Sequence, residues 1–471
     1  MGGILRQDWL PTRVHIVGIG GSATSGLARI LASWGVLVTG SDREESVALA
    51  ALRRAGLAVF AGHRSGQLGS DVELVVHSLA VGPDNPELVE AARLGIERIS
   101  YPVFLGRLFA RSRGVAVAGT HGKTSTTGML TEILLAAERD PTVLIGGNLT
   151  TLQGNWRCGS DAEFLVEACE YQRSFLNLRP QFGVITNVEL DHPDVYPDDR
   201  AVVAAFQDFV NGFRVDGVLV INGDSALVHG LQMPAHVRVV TFGFGAECEW
   251  CARRLGPADP FAFEVRHRGE HWGIVTLNVP GPHSVSNALG ALALAVELGL
   301  SRESVLAGLA RFPGVDRRFQ HRGQFRGVEL VDDYAHHPTE VRSVITAARE
   351  AFPSRRVWAV FQPHQLGRLH AFGSEFATSL AQADRVGLLP AYSVRESAGD
   401  FRADLLDQLE QRLRDCAVPV HRFASVDDTA AQLPPLLERG DVCLVIGAGD
   451  VCRVTPTLGA LLQQSDAFEG R

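Results

Sequence analysis

The residues whose types and spacing are best suited to chemistry form one turn, Gly119-Thr120-His121-Gly122-Lys123-Thr124. The apolar run Val115-Ala116-Val117-Ala118 precedes it, and Gly128 to Leu135 takes up helical spacing after it. Strand, glycine turn and helix, in that order, build a cradle for phosphate. Glycines let backbone N–H groups close around oxygens, and the helix N-terminus adds partial positive charge. The lysine neutralises the outer phosphates, while the Thr124 hydroxyl can sit on the Mg²⁺ that travels with them. An ordinary glycine turn is the competing reading, since Val117 stands where the full motif has glycine. Composition decides between them. Of 44 Lys+Arg, Lys123 is the only lysine. A planar guanidinium does not replace a compact ammonium inside a closed glycine cradle, so the position of the one exception is informative.

Acids cluster at two expected strand ends, Glu167 with Glu170 and Glu189 with Asp191 and His192. In an open parallel sheet such ends share an edge with the phosphate loop. Carboxylate oxygens there suit Mg²⁺, which prefers oxygen and is commonly shared with substrate phosphates. Two further polar clusters, Asp332-Asp333-Tyr334-Ala335-His336-His337-Pro338 and Phe361-Gln362-Pro363-His364-Gln365-Leu366-Gly367-Arg368, lie nearer the C-terminus. Taken alone, each is as readily a capped chain end as a substrate face.

The elements that must position these groups alternate between strand and helix. From Arg13 to about Ser112 the pattern is a small doubly wound domain, with strands at Val14–Val17, Leu37–Asp42 and Glu73–Ser78 and a helix from about Ser25 to Trp34. Gly18-x-Gly20-x-x-Ala23, with Asp42 at its usual remove, fits a turn that tolerates a pyrophosphate, whether of a nicotinamide dinucleotide or a UDP-sugar; a purely structural turn fits as well. Strands are expected at 163–166, 183–187 and 218–221, a hairpin over 261–279 and a buried alanine-rich helix over 283–300. After Phe312-Pro313-Gly314 the alternation resumes, with strands at 329–334, 357–361 and 442–446 and a helix over 339–352. The expected class is α/β with three domains, each around a mostly parallel sheet: 1–112 Rossmann-like, 113–312 of phosphate-loop type, 313–471 Rossmann-like.

Composition removes other classes. A net charge of −9 gives no basic footprint for nucleic acid. The longest apolar candidate, Ala288 to Leu300, contains Glu297, so no membrane span is expected. Met1 to Asp8 lacks the apolar core of a signal peptide. Seven cysteines at irregular spacing suit reduced thiols and a cytoplasmic setting, and Cys248-x-x-Cys251 has no second pair to complete a zinc site.

Read together and in order, these blocks resemble the Mur ligases. Gly18-Ile19-Gly20-Gly21-Ser22 is similar to the family's uridine-nucleotide loop and Gly119 to Thr124 to its ATP loop; Glu167 to Glu170, Thr186 to His192, Arg317-Arg318-Phe319, Asp332 to Glu340 and Phe361 to His364 resemble later blocks. His121 favours the alanine-adding members or their murein-peptide-recycling siblings, and Tyr334 and Glu340 favour the former. The resemblance implies ATP-driven amide synthesis, in which the lactoyl carboxylate of UDP-N-acetylmuramate is phosphorylated and L-alanine displaces the phosphate. It assigns catalysis to Lys123, Glu167 and His192, and Mg²⁺ to Thr124, Glu167 and His192. ATP falls to Gly119, Thr120, His121, Gly122, Lys123, Thr124, Ser125, Asn287, Arg318 and Asp333. The UDP-sugar falls to Gly18, Gly20, Gly21, Ser22, Asp42, Ser78 and His121, and alanine to Tyr334, His336 and Arg368.

Two departures stand out against the family pattern. Its His-Asn pair reads His283-Ser284, which leaves adenine to Asn287, and Gln365 stands where arginine is frequent. A carbamylated lysine bridging the metals is also excluded, because the single lysine is committed to the loop. The chain is expected to act as a monomer or weak dimer. The rival readings are a nicotinamide-dependent oxidoreductase, which leaves the Lys123 loop without a task, a nucleotide-switch module, and the recycling sibling.

Overall fold

The computed structural model describes residues 9–256, 259–392 and 404–469; the reading of Met1 to Asp8 lies outside them. Five strands, Arg13–Val17, Leu37–Asp42, Ala58–Ala61, Leu74–His77 and Glu97–Ser100, form a parallel sheet in the order third, second, first, fourth, fifth. The first strand is central, pairing Val14 with Val38 on one side and Leu74 on the other. Topology reverses there, which opens a crevice beyond its carboxyl end. Gly18 to Ser22 follow that end. The next helix, Ser22–Ser33, begins three residues before the expected start because Gly21 supplies an extended N-cap.

The phosphate-loop strand, Arg113–Ala118, lies between Phe182–Ile185 and Glu163–Glu167, parallel to both. Beyond these the parallel order continues through Gly217–Asn222 to Val237–Gly243 on one side and to Thr142–Leu149 on the other. Val117 is a ladder residue facing Val184 and Glu167, so the turn begins only at Gly119 and needs no glycine before it. The strand before Thr186 stops two residues early. Thr186 and Asn187 leave the ladder to engage the phosphate loop.

The helix after the loop, Lys123–Ala136, is buried on nearly every side. Met129, Leu130, Ile133 and Leu134 are its apolar anchors, each contributing about 1.5–3 kcal/mol by burial. It touches the helix Arg302–Arg311 backbone to backbone: a Cβ on Gly308 would lie 2.4 Å from the Ile133 Cα. The alanine-rich helix runs Pro282–Glu297, with Ala288 to Ala295 buried throughout and the Phe242 ring packed on Gly290.

The third sheet orders Gln320–Phe325, Val328–Asp333, Val442–Ile446, Val357–Phe361, Arg385–Leu388 and Val420–Arg422. Only the first pair is antiparallel. Ala262–His267 and Glu270–Thr276 form the expected hairpin. The chain packs as two compact units. The first takes residues up to 188, 203–250 and 288–312, and holds the first sheet with the strands around the phosphate loop. The second takes 189–202, 251–287 and 313–471, and holds the hairpin and third sheet.

Candidate active site

In the first unit the phosphate loop is shaped by the strand beside it. Gly119, at φ +135°, passes so close to Thr186 that a Cβ there would fall 1.9 Å from its hydroxyl oxygen. The Asn187 carboxamide grips His121 at both ends of the residue: Oδ1 accepts from the His121 N–H at 2.9 Å, and Nδ2 donates to its carbonyl at 3.1 Å. The Thr120 N–H is given to the Asn187 carbonyl at 3.1 Å. Gly122, at φ +81°, then turns the chain into the helix. Two early loop amides are thereby spent on protein, so phosphate falls to the amides from Gly122 onward and to Lys123.

Lys123 Nζ donates to the Gly119 carbonyl at 2.6 Å, the Thr120 carbonyl at 2.9 Å and Glu170 Oε1 at 2.9 Å, with Glu170 Oε2 2.7 Å away. Burial works to lower its pKa, but the Glu170 carboxylate, with Cys169 and Glu167 near it, outweighs burial and raises it overall. It therefore stays a cation. Thr124 Oγ1 donates to Glu167 Oε1 at 3.0 Å, and the Gly146 N–H holds Glu167 Oε2 at 2.6 Å. A hydroxyl and a carboxylate in contact at a helix N-terminus form an all-oxygen donor set, which fits Mg²⁺.

The nucleotide-like loop lies in the same unit and is joined to this group. Ser22 Oγ donates to the Gly146 carbonyl at 2.9 Å, and Asn155 Nδ2 to the Ser22 carbonyl at 2.7 Å. A cavity of about 210 Å³ lies between Ser22, Gly146 and Glu167, with Tyr101, Leu105, Phe175 and Leu178 among its apolar walls. Gly18, at φ +80°, packs on Ser78. Asp42 behaves differently from the acid of a dinucleotide fingerprint. Its two oxygens accept from the Gly20 N–H and the Arg43 N–H, both at 2.7 Å, so it shapes the loop.

The second unit gathers the C-terminal clusters. Arg368 is almost inaccessible, and its Nε and Nη2 lie 2.7 and 3.1 Å from the two oxygens of Asp191. Nη1 donates to Gln365 Oε1 at 2.9 Å, and Nη2 also reaches His192 Nδ1 at 3.1 Å. A guanidinium only donates, so His192 Nδ1 accepts, which in the neutral ring places the proton on Nε2. Metal ligation by His192 therefore requires this contact to change. Arg368 opposes and outweighs the burial that would raise the Asp191 pKa, and holds it well below the usual carboxylate range.

Asp333, read as an ATP contact, has each of its oxygens on a backbone amide, accepting from the Phe319 N–H at 2.6 Å and the Ala335 N–H at 2.7 Å. Burial raises its pKa to about 6 against the pull of Arg318. The Tyr334 ring lies under Arg317 at 5.0 Å and Arg318 at 5.2 Å. An aromatic ladder runs from it through His336 and His364 to Tyr392, with centroids 5.5, 5.9 and 5.9 Å apart. Burial drives His336 down to about 3 and His283 down to about 4, so both rings are neutral. His283 Nδ1 is buried without a hydrogen-bond partner, while Ser284 donates back to the Pro280 carbonyl and contributes no side chain outward. Asn287 is buried one turn further along the same helix.

Residues 13–113 match the Mur ligase family, catalytic domain; 117–295 the Mur ligase middle domain; and 317–449 the Mur ligase, glutamate ligase domain. Relatives called UDP-N-acetylmuramate–L-alanine ligase are 38% identical in Agathobacter rectalis and 40% in Nitratidesulfovibrio vulgaris, each match covering 94% of this chain and 97% of the relative. The chain belongs to the Mur ligase family. Among solved structures, a UDP-N-acetylmuramate-alanine ligase from Thermotoga maritima superposes with a TM-score of 0.80 at 28% identity, covering 96% of this chain and 99% of that one. A murein peptide ligase from Psychrobacter arcticus gives 0.70 at 25%, with the same coverage. The three-domain α/β architecture of mostly parallel sheets is that of the Mur ligases. Among the described residues no helix is long and apolar enough to cross a membrane.

Reading the sequence located the loop, Glu167 and the clustered histidines. It gave Glu170 and Asp191 a part only as candidate Mg²⁺ acids, and Asn187 no role of its own; the pairings of the two acids with Lys123 and Arg368, and the grip of Asn187 on His121, come from the structure.

Proposed function

We propose that this Mur ligase joins L-alanine to the lactoyl carboxylate of UDP-N-acetylmuramate at the expense of ATP. The observation that carries the reading is the sole lysine held at a helix N-terminus beside the Thr124–Glu167 oxygen pair. The relatives' name, over nearly the whole chain, supplies the substrates. A carboxylate is a poor electrophile, and phosphorylation gives it a leaving group that an amine can displace. Lys123 and the amides from Gly122 onward would offset the charge that builds on the transferring phosphoryl group. Mg²⁺ would be held by Thr124 and Glu167, with His192 as a further ligand, and would supply Lewis-acid stabilisation of phosphate oxygens.

Gly18 to Ser22 and Ser78 would take the UDP-sugar, with Asp42 fixing their loop. Asn287, Arg318 and Asp333 would support ATP, Asp333 by bracing its turn. Tyr334, His336 and Arg368 would receive alanine. The three-domain boundaries at 112 and 312, a cytoplasmic setting and a monomeric or weakly dimeric state belong to the same proposal.

The similarity to a murein peptide ligase keeps one alternative acceptor in view, a tripeptide. The deciding experiment supplies ATP, Mg²⁺ and UDP-N-acetylmuramate with either L-alanine or a murein tripeptide, and weighs the product. A mass gain of one alanyl residue with phosphate release supports the reading; ligation of tripeptide alone transfers the chain to the recycling reaction, and turnover of NADH would overturn both.

A further inference from the structure

All three hydrogens of the Lys123 ammonium are engaged within the protein. Two go to carbonyls of its own turn, those of the buried residues Gly119 and Thr120. The third goes to Glu170, a carboxylate with 2% of its side chain accessible. A phosphate oxygen that reaches Lys123 must take one of these hydrogens. Releasing a carbonyl leaves a buried acceptor without its donor. Releasing Glu170 also removes an anion from where a second anion arrives, and two such charges around one Nζ repel strongly at short range.

We infer that Glu170 occupies the place of a phosphate oxygen on Lys123 and withdraws when nucleotide binds, so that it competes with the terminal phosphates of ATP. This rests on the ligase reading, and adds to it a residue that sets nucleotide affinity from inside the loop. The competitor is well suited to the task. It carries the charge and oxygen geometry of the group it substitutes for, and it keeps the buried ammonium paired at all times. Binding then exchanges one charge-assisted contact for another, which leaves discrimination to the Mg²⁺-bearing phosphates and the amides from Gly122 onward.

The test is calorimetric titration of ATP, ADP and AMP, with Mg²⁺, into the unaltered chain, Glu170→Gln and Glu170→Asp. The amide keeps the shape without the charge; the shorter acid keeps the charge but draws it back, and guards against a poorly folding amide variant. Melting curves without nucleotide report folding for each. The expected result is ATP and ADP bound tighter by on the order of tenfold in both variants, the scale of one hydrogen bond to a charged group. AMP, whose phosphate does not reach the lysine, should bind as before. Weaker or unchanged ATP binding, or an equal shift for all three nucleotides, would overturn the inference by making Glu170 a brace. If the unaltered chain bound no ATP at all, the ligase reading itself would fall; alanine ligation by a chain whose Glu170 variants bind ATP no tighter would sink only the competition.

Discussion

The two cations assigned to anionic substrate groups, Lys123 in the first unit and Arg368 in the second, are both paired with buried carboxylates, yet the pairs are built differently. Lys123 meets Glu170 through one of three point-like donors, and its other two hydrogens steady the loop that carries it. Arg368 presents an edge of its fork to both oxygens of Asp191, and its remaining donors reach Gln365 and His192. An ammonium on a flexible stem exchanges one partner without disturbing the others. A guanidinium holds all its partners in a plane, so replacing one moves the set. The phosphate loop thus reads as a place where anions swap, and the Arg368 cluster as a place where a swap must rearrange several side chains.

The sharpest way to break the comparison is at Lys123. Replacement by methionine should cut ligation by about 10³-fold or more, because a charge on the transferring group loses its counter-ion in a water-poor site. Quantifying alanylated product by mass, with the melting point as control, checks it; turnover near normal would empty the loop of its role.

Next comes Arg368→Met. It leaves Asp191 buried without a counter-charge, as Lys123→Met leaves Glu170, and also strips Gln365 and His192 of their donor, so it should cost about 3–5 kcal/mol of stability and at least as much as Lys123→Met. Denaturant midpoints of the two variants rank them directly, and a reversed ranking would contradict the planar-set argument.

A smaller effect separates the two halves of the Asn187 grip. Asn187→Ala should raise the ATP KM by roughly tenfold. Asn187→Asp still accepts from the His121 N–H but faces its carbonyl with an anion, so it should be no better than alanine. Recovery by aspartate would show that only the N–H contact counts.

The pH dependence is the gentlest probe. His336 at about 3 and His283 at about 4 lie below their unfolded values, so the unfolded chain binds their protons first and stability rises with pH from about 4 to 6.5. Asp333, raised to about 6, works the other way over about 4 to 6. Among these three groups, two against one leave a net loss of stability on acidification across that overlap. Lys123, raised overall, contributes stability that is present below its unfolded pKa and lost only as alkaline pH rises through the folded one. Hydrogen exchange at pH 6.5 and 4.5 should therefore show loosening around His336 before the phosphate loop; the opposite order would count against it.

What the sequence made legible follows from how local each feature is. Gly119 to Thr124 announced itself because glycine, lysine and threonine act within a few residues of one another, and the places of the strands along the chain followed from short apolar runs. Thr124's partner Glu167 was within reach because it ends the neighbouring strand. Arg368 was read as a fork for a substrate carboxylate; its partner in the structure, Asp191, lies 177 positions away, and no spacing rule links them. Glu170 is 47 positions from Lys123, and its pairing depends on how the short turn after Glu167 folds back. Asp42 and Asp333 show the reverse case: acids at strand ends, read as ligand contacts, also hold the backbone amides of the turns they sit in. A carboxylate beside a sharp bend finds backbone amides sooner than solvent.

The single lysine has a practical consequence. A chain grown on isotope-labelled lysine would carry its label at one interior point, at the threshold of the phosphate-loop helix. Its side-chain signal needs no assignment, and each exchange of partner at that ammonium would appear as movement of a lone resonance. Composition has thus placed a built-in reporter where the first chemical step is expected.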